Sequence, residues 1–257
     1  MPAQWCLRYR CLHDSIKQAI FWAGQTVKAD IISMSFGFAR DDDAICEAIE
    51  TVRRQRKHEV IFLASAGNSA TDDEGFPARH PEVISVYATN GSGIFSERNP
   101  LSTRREAAVL ATYGEGVPES LSNDFATAYP ERSVCEPGSS VATAVMAAIS
   151  ATMLAYATVL PSLVRLQGPA ASTSDRVMRH LWTGKGMEAV LYRLAQESRS
   201  QPYCRAVMPA RFWKNRSEDL LRYCAIIDAL SAIDAKSSRP PPVTSGGTDI
   251  PQHSMEG

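Results

Sequence analysis

A serine stands where a loop turns into a long run of small, uncharged residues. The segment is Gly138-Ser139-Ser140-Val141-Ala142-Thr143-Ala144, and the run that it opens predicts a buried helix. The backbone N–H groups of a first helical turn lack partners within the helix, and the helix dipole favours negative charge there. The position therefore suits Ser140 as a nucleophile whose attack on a carbonyl generates an oxyanion.

A second candidate residue for the same chemistry lies well upstream. Asn68 ends the segment Ala64-Ser65-Ala66-Gly67-Asn68, in which an apolar strand runs directly into Gly-Asn. Taken alone, Asn68 also fits a turn residue after Gly67, and Ser140 also fits a helix N-cap. Only the combination of several such segments favours a nucleophile over a helix cap.

Alternating strand and helix patterns surround both residues. The segments Ile31–Ser35 and Val60–Ala64 predict buried strands, and residues 44–52 between them carry a helical apolar stripe. A strand, a helix and a strand in such close succession form a βαβ unit with parallel strands. Val83–Ala88 and Ala107–Ala111 predict two further strands.

The predicted strands place the candidate residues at one edge of the sheet. Ser35 ends one predicted strand, Asn68 follows another, and Ser140 stands at the start of the predicted helix. Active sites of open α/β sheets lie at the carboxyl ends of the strands. We therefore expect the three residues to face a common cleft, flanked by loops at residues 66–81 and 112–137.

These segments resemble the subtilisin-like serine peptidases, the subtilase family. The nucleophile motif of that family, Gly-Thr-Ser-x-Ala-Thr/Ser-Pro, is similar to residues 138–144, and its oxyanion motif Ala-Gly-Asn is similar to residues 66–68. Its substrate-binding strand resembles Asp30-Ile31-Ile32-Ser33-Met34-Ser35-Phe36-Gly37. A block at Phe76–Val86 and a following Phe95-Ser96 complete five blocks in the order of the family.

The resemblance implies a fold and a set of roles. The fold is α/β, with a three-layer, doubly wound, mostly parallel sheet and a C-terminal helical extension. Ser140 would attack a peptide carbonyl, and Asn68 would hold the oxyanion together with the Ser140 N–H. The implied partner is a peptide or protein substrate, and no cofactor or metal is implied. The implied substrate-binding residues are Ser35, Phe36, Gly37, Ala64, Ser65, Ala66 and Gly67.

Two motifs of the family do not occur in the sequence. The family aspartate lies in an Asp-Ser/Thr-Gly turn and the family histidine in a His-Gly-Thr-x-Val-Ala helix start, and neither is present. His13 is the only histidine upstream of the substrate strand, and Asp14-Ser15 follows it. We therefore expect an N-terminally truncated domain that lacks a segment and is nearly inert alone. The alternatives are a serine endopeptidase with a longer natural chain and a catalytically dead pseudo-peptidase that keeps a peptide-binding groove.

Composition and segment character favour a globular protein. A formal charge of −1 over 257 residues favours neither nucleic acid nor an anionic membrane as a partner. Val141–Val164 is long enough to span a bilayer, but its Ala, Thr and Ser content and Pro161 favour a core helix. Six cysteines lack metal-site spacing, and no signal peptide is visible, so we expect a cytoplasmic protein.

Three regions are predicted along the chain. Residues 1–165 form the partial peptidase domain, and residues 166–235 form the helical extension packed on it. Residues 236–257 are rich in Ser, Pro and Gly. Such a composition cannot bury enough apolar surface to fold, which predicts a disordered tail.

Overall fold

The centre of the protein is a six-stranded, mostly parallel sheet. The computed structural model describes residues 3–103, 108–115, 137–164, 175–198, 200–208 and 219–237. The strands are β1 (Ile31–Met34), β2 (Ile61–Ser65), β3 (Val83–Thr89), β4 (Val109–Tyr113), β5 (Ala195–Glu197) and β6 (Cys204–Val207). Their order across the sheet is β1-β2-β3-β4-β6-β5. All neighbouring pairs are parallel except β5 with β6.

Helices cover both faces of the sheet. They are α1 (Ala3–Phe21), which continues into a π-helical turn at Trp22–Thr26, α2 (Asp43–Gln55), α3 (Ser139–Leu163), α4 (Gly184–Leu194) and α5 (Asp219–Ser237). One core cluster joins strand residues to α3, α4 and α5, and a second joins them to α1 and α2. The molecule is therefore a three-layer α/β structure, as predicted.

The alternation of side chains along β2 explains the two cores. Ile61 and Leu63 belong to the cluster with α3, whereas Phe62 and Ala64 belong to the cluster with α2. Successive side chains of a strand point to opposite faces, so a strand buried on both faces reads as a continuous apolar run. All five residues of β2 are buried.

Helix α3 crosses the sheet and carries the candidate nucleophile at its first turn. It contacts β1, β2, β3 and β4, and its inner side buries Met146, Met153 and Leu160. Its outer side exposes Ala148 and Ala155. In the described part of the chain, α3 is the one helix that is long and apolar enough to cross a membrane, and it packs on the sheet.

The predicted strands are confirmed, with shifts at their ends. The runs predicted at 31–35, 60–64 and 83–88 are adjacent parallel strands whose bounds differ by one residue. The strand predicted at 107–111 lies two residues later, at β4. The region predicted as a helical extension also contributes β5 and β6 to the sheet. The predicted disordered tail lies outside the described residues, apart from the last two residues of α5.

Candidate active site

A cleft of about 680 Å³ lies at the carboxyl ends of β1 and β2. It brings together all but one of the residues predicted for the site: Ser35, Phe36, Gly37, Ser65, Ala66, Gly67, Asn68 and Ser140. Ala64 is the exception and corrects the predicted set. Its side chain is fully buried in the core with α2, because it points to the opposite face of the sheet from Ser65.

Ser140 lies at the junction between the end of β1 and the start of α3. Its hydroxyl donates to the Ser35 carbonyl oxygen at 3.4 Å, and the Ser35 hydroxyl donates to the Ser140 carbonyl oxygen at 3.1 Å. The first contact is long for an O–H···O hydrogen bond, whose usual length is about 2.7–2.8 Å. The Ser140 hydroxyl is therefore weakly held and lines the open cleft.

Asn68 is oriented by Ser139, the buried neighbour of Ser140. The Ser139 backbone N–H donates to Asn68 Oδ1 at 2.8 Å, and the Ser139 hydroxyl oxygen lies 2.9 Å from the same atom. An N–H donor requires an acceptor, which identifies this atom as the amide oxygen. The amide NH₂ of Asn68 is thus the donor end of a side chain that lines the cleft.

The Ser139 hydroxyl is a hub that sequence reasoning did not identify. It lies 2.7 Å from the Ser65 hydroxyl and 2.8 Å from the Gly67 carbonyl oxygen, and it accepts from the Gly67 N–H at 3.2 Å. Ser139 is completely buried. Its interactions connect the first turn of α3 to the end of β2, so they set the position of Asn68 relative to Ser140. The sequence motif shows only that a serine stands where the family has threonine, and it does not reveal the hydrogen-bond partners of that serine.

Gly138 leaves room for the Asn68 amide. A Cβ atom at Gly138 would lie 2.5 Å from Asn68 Oδ1 and 2.8 Å from Asn68 Nδ2, which is closer than side chains tolerate. The Gly138 N–H donates to the Gly114 carbonyl oxygen at 2.8 Å, which fixes the residue just before α3. The absence of a side chain at Gly138 therefore leaves the space that the Asn68 amide occupies, and an added Cβ would force the amide to move.

None of the described histidines lines the cleft. His13 Nδ1 lies 2.5 Å from Asp42 Oδ2, and the His13 ring packs edge-on against Phe38 at 4.6 Å between centroids. Asp42 also caps α2 by accepting from the Ile45 N–H at 2.9 Å. Burial acts to raise the pKa of Asp42, but the hydrogen bonds from Ile45 and His13 lower it overall. The His13–Asp42 pair thus joins α1 to the start of α2.

Arg79 joins two of the segments that line the cleft. Its Nε donates to Asp41 Oδ1 at 2.7 Å. Its two terminal nitrogens donate to the Glu74 carbonyl oxygen at 3.0 Å and the Ala39 carbonyl oxygen at 3.1 Å.

Among the residues that the structure describes, no group of three or more His, Cys, Asp or Glu side chains is placed to hold a metal ion.

Comparison with known proteins gives the family of the chain. The sequence model of the subtilase family matches residues 5–176. An "Intracellular serine protease" of Paenibacillus polymyxa is 37% identical over 83 residues, which are 30% of this chain and 24% of that protein. The chain thus aligns with about a quarter of the length of this relative.

Solved structures share the fold at low sequence identity. The prenylagaramide maturation protease PagA superposes with a TM-score of 0.52 at 17% identity, over 85% of this chain and 66% of that one. A mutant of the protease domain of PatA gives 0.50 at 18% identity, over 87% and 66%. These identities carry information on the fold alone, and the fold agrees with the family match. The chain belongs to the subtilase family.

Proposed function

We propose that this chain is the nucleophile-bearing part of a serine endopeptidase. The observation that carries the proposal is that Ser140 and Asn68 line one cleft, with the Asn68 amide oriented by Ser139. The Ser140 oxygen would bond to the carbonyl carbon of a peptide while its proton passes to a base. The Asn68 NH₂ and the Ser140 N–H would donate to the oxyanion, and the base would return the proton to the leaving amine.

The base for this reaction would come from outside the described residues. No described histidine lines the cleft, and a serine hydroxyl without a base is a weak nucleophile. We propose that a segment carrying an Asp-Ser/Thr-Gly turn and a His-Gly-Thr helix start completes the site. The second candidate function, a peptide-binding pseudo-peptidase, is favoured by the same absence of an imidazole from the described cleft.

A fluorophosphonate probe tests the proposal, because it reacts with serines that a base has activated. The 257-residue chain should label weakly. The chain supplied with the Asp/His segment should label strongly, and Ser140→Ala should abolish that labelling. Strong Ser140 labelling of the short chain would contradict the need for an added base. No labelling of the completed form would favour the pseudo-peptidase.

A substitution of Asn68 tests its proposed role as a hydrogen-bond donor to the oxyanion. Asn68→Asp keeps an oxygen for the Ser139 N–H but removes the NH₂ donor, so in the completed form it should lower kcat strongly. Removing one oxyanion donor typically costs about 100- to 1,000-fold. A completed enzyme in which Asn68→Asp retains full kcat would remove Asn68 from the proposed mechanism.

A further inference from the structure

The cleft carries negative charge that the described residues do not neutralise. Asp72 and Asp73 line it together with Ser140, and both are exposed. Arg79 is the one cationic side chain among the described residues that line it. Its guanidinium already lies 2.7 Å from Asp41. Within the described part of the chain, neither Asp72 nor Asp73 takes part in an ion pair.

The backbone that carries these carboxylates is held in place. The Leu101 N–H donates to the Asp72 carbonyl oxygen at 2.9 Å, and the Glu74 N–H donates to the Leu101 carbonyl oxygen at 2.9 Å. The Gly75 N–H donates to the Ala66 carbonyl oxygen at 2.9 Å, which ties the segment to the end of β2. Asp72 and Asp73 are therefore presented from a fixed wall of the cleft.

A third carboxylate, on the residue that follows Asp73, is incompletely satisfied. Glu74 is 1% exposed, and its Oε2 accepts from the Thr103 hydroxyl at 2.8 Å. Its Oε1 is buried and has no hydrogen-bond partner in the described part of the chain. Buried carboxylate oxygens are normally paired with a donor or a cation. Asp72 and Asp73 thus form an acidic wall that a cationic group would complement, whereas Glu74 adjoins them in sequence and does not line the cleft.

The segment after β1 lines the same cleft with aromatic rings. Phe36 and Phe38 both belong to the lining, and their ring centroids are 5.8 Å apart. Lysine and arginine side chains pack their apolar stems on such surfaces while the charged end reaches a polar partner. A lysine or arginine side chain, whose apolar stem can pack on the two rings, is therefore the kind of cation that these residues complement.

We propose that the cleft selects peptides that carry a lysine or arginine close to the bond presented to Ser140, and that Asp72 and Asp73 bind that cation. The inference rests on the proposed function, since it takes the cleft to be a peptide-binding groove. It names a substrate class, basic peptides, that the family assignment does not supply. Two surface carboxylates on a fixed wall favour such peptides through charge as well as through packing of the side-chain stem.

Peptide binding to the Ser140→Ala protein tests the inference without requiring catalysis. Fluorescein-labelled octapeptides that differ at one scanned position (lysine, arginine, norleucine or glutamate) would be titrated by fluorescence anisotropy. At the position that reaches Asp72 and Asp73, lysine and arginine peptides should bind about tenfold more tightly than norleucine peptides. High salt should reduce this preference, because exposed charge pairs are screened.

Two matched pairs of substitutions distinguish the effect of the acidic wall on peptide binding from the effect of the overall charge of the protein. Asp72→Asn with Asp73→Asn should abolish the preference and leave the norleucine peptide bound as before. Asp175→Asn with Asp228→Asn removes the same charge at exposed positions that do not line the cleft, and should keep the preference. Equal binding of lysine and norleucine peptides at every position would overturn the inference and leave the groove intact. Binding of no peptide would overturn the inference together with the proposed function.

Discussion

Ser139 and Asn68 hold each other at the start of α3, through an N–H···O hydrogen bond of 2.8 Å and a hydroxyl contact of 2.9 Å to the same amide oxygen. The nucleophile candidate is the next residue along the chain. One buried serine thus links the donor end of Asn68 to the position of Ser140, and the site depends on residues that do not themselves react.

The contribution of the Ser139 hydroxyl to stability can be tested with one substitution that removes the hydroxyl and one that retains it. Ser139→Ala leaves the buried Ser65 hydroxyl and Gly67 carbonyl with one partner fewer, which should destabilise the fold by about 1–3 kcal/mol. Thermal unfolding should show a drop of about 2–4 °C in Tm for each kcal/mol. Ser139→Thr retains the hydroxyl and should lose less stability. Equal losses in the two variants would show that the hydroxyl is not responsible.

Gly138→Ala should displace Asn68, because the new Cβ would lie 2.5 Å from Asn68 Oδ1. We expect lower Tm and weaker peptide binding to the Ser140→Ala protein. Gly91→Ala is the control, since a Cβ there would lie 3.5 Å from the Tyr113 ring, an ordinary contact. In an Asn68→Ala background the cost of Gly138→Ala should shrink, because the clashing amide is gone. Strictly additive effects of the two substitutions would contradict the contact.

Stability should fall as the pH drops through the titration range of His80. Burial lowers the pKa of His80 below its ordinary 6.5, although Glu50 and Glu82 act to raise it. The unfolded chain therefore binds a proton at a higher pH than the folded chain does. The neutral ring's contribution is fully present above about 6.5 and is lost as the pH falls toward the folded pKa.

A substitution isolates this contribution. His80 Nδ1 accepts from the Glu82 N–H at 3.2 Å, and the Oδ1 of asparagine can take the same role. Urea unfolding at pH 7.5 and 5.5 should show a smaller loss of stability for His80→Asn than for the parent chain. An unchanged pH dependence would assign the effect to other groups.

Gly24 marks the close contact between the π-helical turn after α1 and helix α2. A Cβ at Gly24 would lie 2.2 Å from Val52 Cγ1, inside the core, so Gly24→Ala should cost about 1–3 kcal/mol by overpacking. Val52→Ala in the same chain should relieve part of this cost. A double-mutant cycle by chemical denaturation measures the coupling, and a coupling near zero would contradict the packing.

The strands were predictable from the sequence because strands buried on both faces consist mainly of apolar residues. Val60–Ala64 is a continuous apolar run and Val83–Ala88 is apolar except for Ser85, and both segments lie in central strands. Their ends shifted by a residue because the last ladder hydrogen bonds depend on the neighbouring strand. β5 and β6 were not predicted, since β5 is a three-residue polar strand whose pairing comes from the tertiary structure.

The cleft residues were predictable from the sequence motifs, but the hydrogen bonds that hold these residues in place were not. Ser140 and Asn68 stand in recognisable sequence blocks. The partners of Ser139 lie 71 to 74 residues away, so no local pattern reports them. Ala64 was placed in the pocket wall because it adjoins Ser65, and the alternation of side chains puts it on the other face.

The position of β1 bears on how the protein behaves in concentrated solution. Within the described part of the chain, β1 is an outermost strand of the sheet, and its residues Ile31–Met34 carry no charge. Natural sheets protect their edges with charged side chains, because an unprotected edge pairs with the edge of another copy. Solubility should therefore be limited at this strand, and a lysine at the exposed Ser33 is the substitution that should raise it.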